Sequence, residues 1–349
     1  MTTGCGVRLA TPPPAPPVPD AFEVVRSTAV SDALHVAESA EQAAETTRRT
    51  PVRTELERIA ADARAQAESL GGEYDSGLEH TDTADPQVSP TEESTTAQDV
   101  VVALDDAAAR GRAAADRTAD GPLARLLAST AASWTVSAAR LADLARGPDP
   151  ARTVPEIPAP APGEDPDGEE PGDEGPERSP SSTPEQDTET ESAVSTTEPG
   201  SPETPVAPEG LTADELSALV VSEDAIGYAL QLRAARADGE LQERLLALSR
   251  THRERAQAWA VLAGTDGTDQ DPRRVAYAVP PEAEVPHVAL VRSLENDLAI
   301  DYASLVGTSA SGTRAVLVDL LVEASLVLDD WGARPSAFPG LPEQGATGT

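Results

Sequence analysis

Residues 148–210 decide how this chain can be built. They hold 15 of its 32 prolines and 17 acidic residues against two arginines, with Glu, Asp, Ser, Thr and Gly making up most of the rest. A segment of that kind cannot bury enough apolar surface to offset the entropy lost on ordering, so it is expected to be a disordered linker. As a flexible coil it would reach ~45 Å. It divides the 349 residues into two flanking stretches, 20–147 and 211–340, each long enough for one ordinary domain.

Both stretches carry helical periodicity and nothing that reads as a strand. Phe22, Val25, Ala29, Ala33, Val36 and Ala40 recur on one face of a first helix. Pro51 suits the opening of a second, striped by Val52, Leu56, Ile59, Ala63, Ala67 and Leu70 and ended by Gly71-Gly72. A third spans about 97–117 through Val100, Leu104, Ala107 and Ala114. Pro122 opens a fourth, with Leu123, Leu127, Trp134 and Leu141, closed at Gly147. After the linker a capping box, Thr212 to Glu215, precedes helices at about 213–237 and 240–263. A loop over 264–285 leads to two more, at about 287–307 and 311–331, stopped by Gly332 and Pro335. The fold class is therefore all-α: two antiparallel four-helix bundles joined by a long disordered, acidic, Pro-rich linker. Residues 1–19 form a Pro-rich tether and 341–349 a short tail.

Composition removes several functions. The formal net charge is −35 and every base is an arginine, so no segment offers the clustered positive charge that nucleic acid requires. Anionic membrane surfaces are disfavoured for the same reason. No apolar run approaches the ~20 residues of a membrane span. A single cysteine allows neither an internal disulfide nor a thiolate metal site. The sequence holds no P-loop, dinucleotide glycine fingerprint, G-x-S-x-G elbow or H-E-x-x-H.

One set of residues interrupts the apolar stripes of the C-terminal bundle: Glu223, His252 and Glu295 on three helices, and Glu323 at the edge of the fourth. Counting from the first hairpin turn puts Glu223 nearly level with His252; counting from the second puts Glu295 level with Glu323. Buried carboxylates need a partner, a proton or a cation. Three carboxylates and an imidazole are ligand types for Fe, Mn or Zn. Tyr228 and Tyr302 stand near enough to join a hydrogen-bond network, and Arg250, Arg253, Arg255 and Arg292 to pair with the acids. The Glu-x-x-His pairs of a di-iron site are broken, because Ser249 precedes His252 by three and Leu326 follows Glu323 by three. The remaining histidines, His35, His80 and His287, read as solvated.

"LVVSEDAIGYALQLRAAR", "THRERAQAWAVLAG", "SLENDLAIDYASLV" and the closing "WGARPSAFPGLP" resemble the ferritin-like domain of unknown function (domain of unknown function 4439 type) found in envelope proteins of high-GC bacteria. The resemblance covers about 211–342. It implies a ferritin-type four-helix bundle, commonly behind a lipoprotein signal, and carries no catalytic residues. The N-terminal stretch resembles the segment that often precedes this domain.

"TTGC" at residues 2–5 likewise resembles the end of a lipobox, which makes Cys5 the expected site of lipidation and the proline run after it a spacer. The reading that follows is a lipid-anchored envelope protein, non-catalytic and without cofactor, that displays two bundles to an unidentified envelope partner. Its rival is a metal-binding or oxidoreductase-type protein using Glu223, His252, Glu295 and Glu323. A cytoplasmic location follows instead if Met1 is the true start.

Overall fold

The computed structural model describes residues 19–73, 95–159 and 207–345. Cys5, the tether up to residue 18, His80 and the linker from 160 to 206 lie outside the described residues. Every regular element among those described is a helix: α1 (Ala21–Thr46), α2 (Thr50–Ser69), α3 (Ala97–Arg117), α4 (Gly121–Ala145), α5 (Ala213–Ala234), α6 (Gly239–Leu262), α7 (His287–Thr308), α8 (Ala315–Asp330) and the single turn α9 (Pro342–Gly345). None is long and apolar enough to cross a membrane.

Local chemistry sets most of the boundaries. Asp20 starts α1 by accepting from the Glu23 backbone N–H at 2.8 Å, and Asp120 starts α4 by accepting from Leu123 at 2.7 Å. Two capping boxes open α3 and α5, Thr96 with Asp99 and Thr212 with Glu215. The left-handed residue that ends α4 is Arg146 rather than the expected Gly147. α8 begins four residues later than its apolar pattern suggests, because residues 311–314 are drawn into a turn. There the Arg314 N–H donates to Asp116 Oδ1 at 2.7 Å and the Gly312 N–H to the Asp116 carbonyl at 2.7 Å. The end of α3 therefore caps the start of α8.

The two helix groups do not stand apart. Hairpins α1–α2 and α3–α4 form the first group, α5–α6 and α7–α8 the second, and α4 also packs along α7 and α8. All twelve residues from Leu127 to Ala138 are buried, so α4 is covered on every side. Close approach explains the residues. A Cβ on Gly121 would meet the Gly307 carbonyl oxygen at 2.1 Å, which holds the start of α4 against the end of α7. On the opposite face, a Cβ on Gly111 of α3 would sit 3.1 Å from Ala131 Cβ.

Polar contacts fix the same seam. Arg314 is only 3% exposed and donates through Nη1 to the Thr118 carbonyl at 2.6 Å and the Ala115 carbonyl at 3.2 Å. Arg140 of α4 bridges Glu55 of α2 at 3.2 Å and Asp329 of α8 at 2.5 Å. The closing segment after α8 is also held by the first group: Gln66 donates to the Ala337 carbonyl at 2.8 Å and Ser129 to the Pro339 carbonyl at 2.6 Å. Each such bond adds about 1 kcal/mol net, so apolar burial around α4 carries most of the association.

The described ends of the linker stretch are tied down too. Ile157 is half-buried and Pro158 buried, and Arg112 of α3 donates to Thr153 at 3.1 Å. Glu209 donates to Thr313 Oγ1 at 2.9 Å and accepts from the Ala310 N–H at 2.8 Å.

A specific protease site introduced between residues 160 and 206 and then cut should leave the halves together. Size-exclusion chromatography of the cut protein should give one peak at the uncut position; two separated fragments would show that the α4 seam does not hold them.

Candidate functional site

Three of the four singled-out residues meet. Glu223 on α5, His252 on α6 and Glu295 on α7 are 0%, 0% and 1% exposed. The His252 ring lies between the two acids, with Nδ1 2.6 Å from Glu223 Oε2 and Nε2 2.9 Å from Glu295 Oε1. Tyr302, about two turns along the same face of α7 from Glu295, donates its hydroxyl to the other oxygen of Glu223. The expected level pairing of Glu223 with His252 is present. Glu295 turns to the same imidazole rather than to Glu323, which forms a separate ion pair with Arg255 Nη2 at 2.5 Å.

The electrostatics follow from the geometry. Burial alone would drive the imidazolium to give up its proton. The charges of Glu295 and Glu223, with a hydrogen bond to each, outweigh that, and the His252 pKa is pushed up to about 9. With both ring nitrogens protonated, each donates to a carboxylate. Burial first, and then the Glu223 charge, raises the Tyr302 phenol well above its ordinary range, so it stays a donor.

Both ring nitrogens face carboxylate oxygens, so the imidazole is hydrogen-bonded on each side. Among the described residues, no group of three or more His, Cys, Asp or Glu side chains is disposed to hold an ion.

Other residues depart from the sequence reading. Tyr228 does not reach the cluster; its ring packs on Tyr277 at 5.8 Å between centroids. Tyr277 in turn donates to Asp224 Oδ2 at 2.8 Å, and burial followed by that carboxylate pushes its pKa up to about 12. This second acid–tyrosine pair pins the 264–286 loop over α5, helped by Arg233 Nη2 donating to the Pro280 carbonyl at 2.7 Å. Asp224 sits beside Glu223 on a helix otherwise striped with apolar residues, and that doubling was the one available signal. His287, expected to be solvated, is instead 9% exposed, with Nε2 3.0 Å from Glu282 Oε1. The chain folds back from Pro286 and covers it. His35 is exposed, as expected.

Residues 216–343 match the family model described as a domain of unknown function (DUF4439). No curated protein and no solved structure matches the chain. The DUF4439 match contains the whole ionic cluster and the closing Trp331–Leu341 segment. In that segment Gly340, at φ +74°, lies so close to α7 that a Cβ would meet the Ala299 carbonyl oxygen at 2.5 Å. The glycine of "FPGL" is therefore a packing requirement.

The raised His252 pKa fixes the sign of a pH effect. A group whose folded pKa exceeds its unfolded one contributes stability that is complete below the unfolded value and lost as pH rises to the folded one. Between the ordinary histidine pKa of 6.5 and about 9, stability should therefore fall, by on the order of 3 kcal/mol. Urea denaturation across that range checks it, with Glu223→Leu/His252→Leu/Glu295→Leu giving a flat profile. An equally steep profile in the triple variant would assign the effect to other groups.

Proposed function

We propose that the chain is a non-catalytic interaction scaffold, held at the cell envelope by a lipid on Cys5 and presenting its joined helical groups to an envelope partner. The supporting observation is the pairing of His252. His252 takes a proton between two carboxylates where a metalloenzyme would place an ion, and the remaining acid, Glu323, is held by Arg255. Groups that could carry redox or hydrolytic chemistry are thereby committed to one another. Glu223, His252 and Glu295 join α5, α6 and α7 and are buried from solvent.

The rival reading makes the same residues ligands for Fe, Mn or Zn. Elemental analysis of protein purified without chelators separates the two. The scaffold reading expects substoichiometric metal that is the same in wild type and His252→Ala. One equivalent in the wild type, lost on His252→Ala, would overturn it.

Anchoring is tested separately by fractionating cells that express the protein with its native upstream sequence. Cys5→Ala should move the protein from the membrane fraction to the soluble one. Membrane association unaffected by that change would reject the lipid.

A further inference from the structure

A cavity of about 560 Å³ opens on the side of α7 away from the His252 cluster. Its walls come from both helix groups and from the closing segment that carries the "WGARPSAFPGLP" motif. Val136 of α4, Ile300 of α7, and Phe338 and Leu341 of the closing segment give it an apolar body. Its volume lies within the ordinary range for a small-molecule site.

Two guanidiniums line the cavity in a chain where 61 acids face 26 bases, and among the described residues neither Arg292 nor Arg334 has a carboxylate partner. Arg292 is held in place through Nε, which donates to the Trp331 carbonyl at 2.7 Å. The single acid in the lining, Asp329, is taken by Arg140 at 2.5 Å. Asn296 adds an amide from the neighbouring turn of α7. Net positive charge on an apolar hollow calls for a ligand with one anionic end and a hydrocarbon body.

We propose that this cavity binds a small aliphatic carboxylate, its chain against Phe338, Leu341 and Val136 and its charge at Arg292 and Arg334. The site is distinct from the His252 cluster and does not depend on whether the protein is a scaffold. It gives the closing motif a role beyond packing, since the same residues that seal α7 to the first helix group form the cavity wall.

The test is calorimetric titration of the full chain with decanoate, with decanol as the uncharged counterpart of the same chain length. Saturable decanoate binding is expected, at least roughly tenfold tighter than decanol and weakened roughly tenfold by Arg334→Gln, as loss of a charge-assisted contact predicts. Ala289→Trp, on the exposed outer turn of α7 at the cavity, should abolish binding by filling the space. Arg334 is exposed and Ala289 lies outside the core, so unchanged thermal melts should accompany both variants. If Ala289→Trp melts early, Arg334→Gln and the decanol comparison decide alone. No saturable binding, decanol binding as tightly as decanoate, or binding indifferent to Arg334→Gln would each overturn the proposal.

Discussion

The architecture rests on one helix being thin enough to be surrounded. Packed helix axes lie about 8–10 Å apart, and the lower end of that range is open only to small side chains. The buried run of α4 from Leu127 to Ala138 is mostly Ala, Ser and Thr, with a single Trp, so neighbours approach from both sides. Three of its five hydroxyls are used across or along the seam, while Thr130 Oγ1 is buried without a partner among the described residues. Thr135 bonds back to the Ala131 carbonyl, Ser129 secures the closing segment, and Ser137 accepts from Arg58. Larger residues along this run would hold α7 and α8 away and leave two separate bundles.

Inside the second group the problem is charge. A protonated His252 between Glu223 and Glu295 leaves one uncompensated negative charge out of water, softened by the Tyr302 hydroxyl and by nearby Arg255. Leucines of similar volume would hold such a core together about as well. What the ionic set adds is selectivity. Each of α5, α6 and α7 contributes a group that can be satisfied only at one rotation and one height, whereas an Ala- and Leu-rich interior tolerates many.

Much of this was legible in the sequence, for identifiable reasons. Periodicity located eight helices because their buried faces are continuous, and counting from the hairpin turn placed Glu223 opposite His252 because both helices run unbroken from it. Phe22 broke the pattern: it belongs to the stripe of α1 but is 44% exposed, since it precedes the first turn that another helix covers. The sequence leaves open whether the Ala-rich faces bury against each other or against a second chain, because Ser and Thr along α4 look like solvent-facing residues when read as a single amphipathic stripe. The choice of Glu295 for His252 over Glu323 depends on how two hairpins stack, which no spacing within either hairpin contains. The folded loop that buries His287 was equally hidden, its order coming from Arg233, Tyr277 and Arg273 acting at long range or within irregular backbone.

The anchoring of residues 152–158 and 207–210 changes what the acidic stretch between them has to accomplish. The chain leaves α4 and passes Asp330, then the Arg112 contact shared with Asp319, so it travels back along α8 towards that helix's beginning. It re-enters at Glu209, beside Thr313, just ahead of the same helix. Both described ends of the stretch thus lie along α8, and closure entropy grows only with the logarithm of its length. Natural variants should therefore lengthen or shorten it freely while the helix groups on either side of it keep their docking unchanged.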